Sequence, residues 1–515
     1  MSLSAPDMLL YNATVITLDP RMPRASWVAI GQGRVIGVGS DEPPFASDGF
    51  TRNIDCQGGT LIPGFNDAHC HVLATAASLL AVDCTPASVS SIENIKGKLW
   101  ERSTQASGDT WLRGMGYNEF DLREKRHPNR WDLDQAVPDH PVKLLHRSGH
   151  AIVLNSRALA LAGIQKDTPD PIGGVIERQE GTGEPTGLLL EMTDYLDGII
   201  PSLSQDEIET GVRLFDKQCL TLGITSLQDA TPGNNLERWE FFLKLKNRGL
   251  LTPAVTFMAG ANHLSEFLEN SFTFGYQSHG LRLGSVKIMV TTTTGSLQPS
   301  RENLRKMAKE AHNSGFQVAI HAVEAHAVEE AIDAIHFISE GSVPRALRHR
   351  IEHCSECLPH LIEKLARSGI TVVTQPGFLY CSGERYLAEV PNDVLPWLYP
   401  VGYMKAVGIS LAAGSDAPVI PMNPLLGIYA AMTRRAESGG AVLPGEAMSV
   451  EDALSMYTLG SAYASFEEHV SGSVEEGMRA DLALLDQNPT TIHPEQIKDI
   501  RVLMTVAQGE VVWEE

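Results

Sequence analysis

Basic charge is scarce in this sequence: 41 Lys and Arg stand against 63 Asp and Glu, a formal net charge of −22 over 515 residues. Nucleic acid needs a cationic face for its phosphates, and an anionic membrane surface attracts the same kind of face, so neither is expected as a partner. Long apolar runs are missing as well. No stretch of 18 or more apolar residues occurs, so nothing reads as a membrane-spanning helix. The opening residues, MSLSAPDMLL, lack the basic segment and apolar stretch of a secretory signal. Cysteine is sparse and odd in number, seven in all, which is no disulfide framework. Cys354 and Cys357 form one CxxC with no second pair; ordinary reduced thiols are the first reading and a zinc or redox site the second. The expectation left by these absences is a soluble cytoplasmic protein that acts on a small molecule, with a homodimer as the default assembly.

What is present is a large core. Hydrophobic residues make up 43% and charged residues 20%, the balance of a folded globular chain. Both ends read as strands and turns. MLLYNATVITLD, SWVAIGQGRVIGVG and FTRNIDCQGGTLIPG at one end, and ADLALLDQNP and IRVLMTVAQGEVVWEE at the other, are rich in Val, Ile and Thr and are broken by Gly. They predict one small β-sandwich domain built from residues 1–62 and 466–515.

The middle, 63–465, alternates. Short apolar runs ending in polar residues occur at 60–71, 223–230, 252–260, 284–290, 316–322, 348–354, 369–376 and 408–418, with helical patterns between most of them. One such pattern follows a capping box, Ser204 with Glu207, and repeats apolar residues at Ile208, Val212, Phe215, Cys219 and Leu222. Ser449 with Asp452 starts another. Strand–helix alternation in eight units predicts an α/β chain, a (β/α)8 TIM-type barrel. Residues 84–203 do not fit the alternation and are too apolar for a loop, so they are expected to form an inserted subdomain covering the substrate after strand 1.

Polar residues at the C-terminal ends of the candidate strands are the place to look for chemistry. The first ends in His69-Cys70-His71. Side chains alternate along a strand, so both histidines face one side and suit one metal ion, while Cys70 faces the barrel wall. Alone, HxH also fits ordinary polar histidines. The fifth strand ends in His321, the sixth in His353 and the eighth in Asp416. In a barrel those ends converge on one mouth. Lys287 lies inside the apolar strand VKIMV. It is either a snorkelling or ion-paired lysine or a desolvated amine with a lowered pKa, able to take up CO2 as a carbamate that bridges two divalent ions.

Together FNDAHCH, VKI, AIHA, RIEHC and GSDAPV resemble the amidohydrolase superfamily. Within it, WLRGMGYNEF, HRSGHAIVLNSRAL, GEPTGLLLE, NPLLGIYAAMTRR and GSVEEGMRADLALLD are similar to the YtcJ-like group that includes N-substituted formamide deformylases. The resemblance implies that His69 and His71 hold a first metal, that His321 and His353 hold a second, and that Lys287 bridges them as carbamate. It implies that Asp416 ligates the first metal and exchanges protons with the bridging water. Zinc is the expected metal, and manganese, iron or cobalt fit the same donors. His150 matches a position near the site, suited to hydrogen-bond the substrate carbonyl or its oxyanion. Trp111, Tyr117 and Gln375 are further candidate substrate contacts. Glu352 is expected to point away from the site by strand alternation, and His146, His312 and His326 to be surface or helix histidines.

Two stretches depart from the relatives. Thr291-Thr292-Thr293-Thr294-Gly295-Ser296 replaces an Asp-Gly-Ser stretch, and Val323-Glu324-Ala325 replaces Gly-Asp; both bear on substrate preference. The expected activity is hydrolysis of an amide-type C–N bond, in an N-formyl or N-acyl amine, by a hydroxide bridging two metal ions, with Asp416 as general base and then acid. A deaminase or esterase on the same barrel, or a non-catalytic barrel, are the alternatives.

Overall fold

The computed structural model describes residues 6–43, 51–106, 110–171, 173–196, 198–292, 295–339 and 347–515; Thr293 and Thr294 lie outside these described residues. The chain divides into two compact units. The first comprises Met1–His71, Asp216–Asp416 and Pro421–Glu515, and the second Val72–Phe215 with Ala417–Ile420.

The first unit holds eight parallel strands in chain order around a barrel: β1 (Phe65–Cys70), β2 (Ile224–Asp229), β3 (Ala254–Gly260), β4 (Leu281–Met289), β5 (Val318–Ala322), β6 (Arg350–His353), β7 (Thr371–Thr374) and β8 (Leu411–Ala413). Their residues are almost all buried, as a sheet covered on both faces requires. Local signals set the helices between them. Asn235 caps Leu236–Asn247 and Ser300 caps Arg301–Asn313, each accepting a backbone N–H of the first turn. Pro359 opens Pro359–Ser368, and Gly369 ends it with φ +71, a left-handed position that suits glycine. The Ser204–Glu207 box forms, with Glu207 N–H donating to Ser204 Oγ at 3.3 Å and Ser204 N–H to Glu207 Oε2 at 2.8 Å.

Side chains help close the ring between β8 and β1. Asp416 N–H donates to the His69 carbonyl at 2.7 Å. Asp67 accepts from Ser415 N–H at 2.9 Å and from Ser415 Oγ at 2.5 Å. Gly414 makes this seam possible, because a Cβ there would lie 2.5 Å from His69 N. The same contacts position two of the candidate site residues, His69 and Asp416.

Two further sheets complete the first unit. One orders strands Arg34–Gly39, Trp27–Gly31, Met8–Tyr11 and Arg52–Asp55. The other orders Glu510–Glu514, Val502–Ala507, Leu482–Leu485, Thr60–Pro63, Thr14–Ile16 and Arg24–Ala25, interleaving both ends of the chain. Leu10, Val28 and Ile30 of the first sheet pack with Leu61, Leu482 and Val506 of the second in one core, the inner layer of a β-sandwich. Thr60–Pro63 runs on through Gly64 into β1, which ties the sandwich to the first barrel strand.

The second unit is the inserted subdomain. Its six-stranded sheet orders Val175–Arg178, Pro185–Leu190, Ala151–Leu154, Val142–His146, Leu112–Tyr117 and Val82–Asp83. Helices Ile92–Ser103, Arg130–Ala136 and Ser156–Leu161 belong to the same unit. Among the described residues no helix is long and apolar enough to cross a membrane.

Candidate active site

The ends of β1, β4, β6 and β8 bring their polar side chains together. His69 Nε2 lies 3.3 Å from Lys287 Nζ and 3.4 Å from Asp416 Oδ1. His71 Nε2 lies 3.0 Å from the same Asp416 oxygen. The His353 ring stands 4.8 Å from that of His69 and 4.3 Å from that of His321, centroid to centroid. One ligand atom from each of His69, His353 and Asp416 falls within 4.8 Å of the others, a spacing that fits a metal ion. The structure thus gathers His69, His71, Lys287, His321, His353 and Asp416 at one end of the barrel.

The imidazoles are oriented from behind. His69 Nδ1 sits 2.5 Å from Glu352 Oε2, His71 Nδ1 3.2 Å from Thr231 Oγ1 and His353 Nδ1 2.7 Å from Gln375 Oε1. Carboxylate and amide oxygens only accept, so His69 and His353 carry their hydrogen on Nδ1 and keep a lone pair on Nε2. His353 Nε2 is buried with no hydrogen-bond partner. Such an orphan is costly unless a ligand uses it. A set of aimed lone pairs, one of them otherwise unused, beside a carboxylate suits a nitrogen- and oxygen-liganded divalent cation.

The backbone is bent to achieve this. His353, Cys354 and Asp416 have φ of 69°, 51° and 56°, left-handed values that cost a non-glycine residue roughly 1–3 kcal/mol and cluster at functional sites. The turn at His353 breaks the alternation on which the placement of Glu352 rests. Glu352 does not point away; it is buried and meets His69 directly, which corrects the sequence expectation. Arg350 lies on the same face and grips the Glu352 carboxylate at 2.5 and 3.0 Å.

Burial and charge divide the roles. Lys287 is 1% exposed, so it does not snorkel, and among the described residues its hydrogen-bond contact is His69 Nε2. Burial pushes its amine down to about 8, against the pull of Glu352 and Asp416. Burial alone would raise Asp416, yet the hydrogen bond from His71 and the neighbouring His353 and His69 rings hold it well below the usual carboxylate range. Burial lowers His69 and His353, so both are neutral donors at neutral pH. Asp67 is raised to about 6 by burial, although Ser415 and the His69 N–H stabilise its charge.

Gln375 follows β7, fully buried, with its side-chain oxygen 2.7 Å from His353 Nδ1. His150, Tyr117 and Trp111 belong to the second unit. There His150 Nδ1 pairs with Glu191 at 3.0 Å, Tyr117 is buried with its hydroxyl 2.9 Å from His127 Nδ1, and Trp111 packs against the core around Ile152 and Leu189. His146 is no surface or helix histidine. It ends the strand Val142–His146, whose alternate residues are buried, and its Nε2 lies 2.8 Å from Glu119. His312 and His326 do lie on helices, His312 against His349 at 3.0 Å. No disulfide joins the cysteines among the described residues, and Cys354 and Cys357 are buried. Asp67, Arg350 and Thr231 were not singled out in the sequence; the signal of the first two was their position within FNDAHCH and RIEHC, and Thr231 had none.

Barrel, mouth and donor set together define a class, and the comparisons agree with it: the sequence model of the amidohydrolase family matches residues 52–513, so this chain belongs to that family. Among individual relatives, the protein named Putative amidohydrolase YtcJ of Bacillus subtilis is 30% identical over 98% of this chain and 99% of its own length. An N-substituted formamide deformylase of Arthrobacter pascens is 28% identical over 99% and 98%. The fold is shared with the crystal structure of an uncharacterized metal-dependent hydrolase from Pyrococcus horikoshii, at TM-score 0.76 and 23% identity over 95% of this chain and 99% of that one.

Proposed function

We propose that this chain is a metal-dependent hydrolase that cleaves the C–N bond of an N-formyl or N-acyl amine. The observation that carries the reading is the buried donor set: lone pairs of His69 and His353 aimed at one point beside Asp416 and the buried Lys287 amine. His69, His71, His321, His353 and Asp416 would hold two divalent cations, zinc first among the candidates, with Lys287 completing the set as a carbamate. When bound, such cations make a coordinated water acidic and polarise a carbonyl oxygen.

The protein's own residues do the rest. Lys287, with its amine pushed down to about 8, has a share of neutral nitrogen whose lone pair attacks CO2; the proton passes to water and an anionic two-oxygen ligand remains. That anion balances a site otherwise made of neutral imidazoles and one carboxylate. Asp416 is ionised at neutral pH and faces His71 and His69, so it accepts the proton of the attacking water and returns it to the departing nitrogen. Glu352, Thr231 and Gln375 keep the imidazoles from turning while this happens. The similarity to an N-substituted formamide deformylase favours a formyl or other small acyl group on an amine.

The test is a panel of N-formyl amines, N-acylated amines and amino acids, cyclic amides, ring amines and esters, offered to zinc-loaded and chelator-stripped enzyme. Release of amine and carboxylic acid by the loaded enzyme alone is the expected result. Asp416→Asn should retain zinc and lose about 10²–10⁴-fold in turnover. Turnover that survives removal of metal, or that falls only on ring amines or esters, would overturn the proposal.

A further inference from the structure

We propose that Glu352, gripped by Arg350, is a positioning residue that holds His69 in the tautomer and orientation from which Nε2 serves a metal ion. The inference rests on the hydrolase reading above and extends it below the mouth of the barrel.

Glu352 Oε2 lies 2.5 Å from His69 Nδ1, so that nitrogen donates and Nε2 keeps its lone pair toward Lys287 and Asp416. The carboxylate cannot rotate away. Arg350 Nε and Nη2 hold its two oxygens at 2.5 and 3.0 Å. Arg350 is itself fixed on both sides. Its Nη2 also donates to the carbonyl of Ala68, the residue before His69, at 2.8 Å, and its Nη1 donates to Gln228 Oε1 at 2.5 Å. Gln228 donates in turn to the Ser461 carbonyl at 2.8 Å and to Asn66 at 3.3 Å. Arg350 and Glu352 are both 0% exposed, so water neither competes for these bonds nor screens them.

The charge arrangement has a purpose beyond holding strands together. A bare carboxylate beside His69 would add a second fixed negative charge near a lysine that must become an anionic carbamate. Arg350 cancels that charge while Glu352 Oε2, which accepts from its Nη2, still accepts from His69 Nδ1 as well. The three histidines with described partners are therefore graded: His69 is backed by a carboxylate, His353 by a neutral amide and His71 by a hydroxyl. Carboxylate backing raises ligand basicity most, which makes His69 the strongest imidazole donor of the centre. A buried ion pair that served only as glue between β6 and β1 would not need to share its oxygen with an imidazole.

Zinc titration of the stripped full-length enzyme separates the two roles. Glu352→Gln keeps the size and removes the charge; the double variant Arg350→Met with Glu352→Gln removes both charges, so that metal-free unfolding returns toward wild type. Positioning predicts that both variants lose about 10–100-fold in zinc affinity for one bound equivalent, whatever their unfolding midpoints. Glu352→Asp keeps the ion pair, shortens the reach to Nδ1 and should lose affinity as well; it carries the test if the other variants do not fold. Zinc affinity that is unchanged, or that recovers in step with stability in the double variant, would overturn the inference. If wild-type enzyme binds and uses zinc while the variants bind it equally, only the positioning role falls. If wild-type enzyme binds none of zinc, manganese, iron and cobalt, the hydrolase reading itself fails.

Discussion

The seam between β8 and β1 is the place where fold and site can be broken by one methyl group. A Cβ on Gly414 would lie 2.5 Å from His69 N, 2.8 Å from His69 O and 2.8 Å from Asp67 Oδ1. Ordinary contact is about 3.5 Å, so β8 must retreat from β1 by roughly 1 Å. Two of those neighbours are backbone atoms of a buried strand and cannot swing aside as a flexible side chain would. The retreat stretches the Asp416 N–H bond to His69 O at 2.7 Å and the Ser415 N–H bond to Asp67 at 2.9 Å. At about 1 kcal/mol for each bond and about 1–3 kcal/mol for overpacking, Gly414→Ala should destabilise the metal-free protein by roughly 3–5 kcal/mol. It also carries Asp416 off the histidines by more than the roughly 0.5 Å that a preorganised site tolerates. Turnover should therefore fall at least about 10²-fold and zinc affinity should drop. Denaturant unfolding of stripped protein, zinc titration and hydrolysis of the best N-acyl substrate measure the three effects. Gly445→Ala is the control, since nothing lies within 4 Å of a Cβ there and its φ is not left-handed. If Gly414→Ala unfolds within about 0.5 kcal/mol of wild type and binds zinc normally, the seam does not position the site.

Other consequences follow from the same contacts. Because burial lowers the Lys287 amine to about 8 and only its neutral form takes up CO2, metal uptake by stripped enzyme held under a constant CO2 pressure should speed up as pH rises from about 6.5 to about 9; Lys287→Met should abolish the CO2 effect, and an unchanged effect in that variant would rule the carbamate out. Gln375→Met removes the acceptor of His353 Nδ1, so zinc affinity should fall about 10-fold with little change in overall secondary structure by circular dichroism. Gly97 sits inside the helix Ile92–Ser103 with open space around a Cβ; Gly97→Ala should raise the stability of the inserted subdomain by about 0.5–1 kcal/mol, read as delayed proteolysis of that region, and earlier proteolysis would contradict it.

What was legible in the sequence and what was not divide along a physical line. The barrel strands were readable because each is a short apolar run with its polar residue at the end. Strand order in a (β/α)8 ring follows chain order, so His69, His321, His353 and Asp416 on separate runs imply one mouth without any knowledge of contacts. Lys287 stood out because a charge in an apolar strand demands an explanation that burial alone cannot provide. Glu352 was misread because alternation assumes extended backbone on both sides of the residue. His353 turns left-handed at φ 69°, and a histidine carries no local signal for that conformation as a glycine would. Once the turn is there, Arg350, Glu352 and His353 all face the same cluster, and a short run of four residues supplies a candidate donor, the carboxylate behind His69 and the guanidinium behind that carboxylate. His146 was missed for the opposite reason: its strand does alternate, but the alternation belongs to the inserted sheet, whose register no flanking helix announces. Asp67 was hidden in plain sight within FNDAHCH, because its task is to close a ring, and the residue it closes against, Ser415, lies 348 positions away. Local pattern marks the candidate residues; the residues that aim them depend on long-range pairing that pattern does not encode.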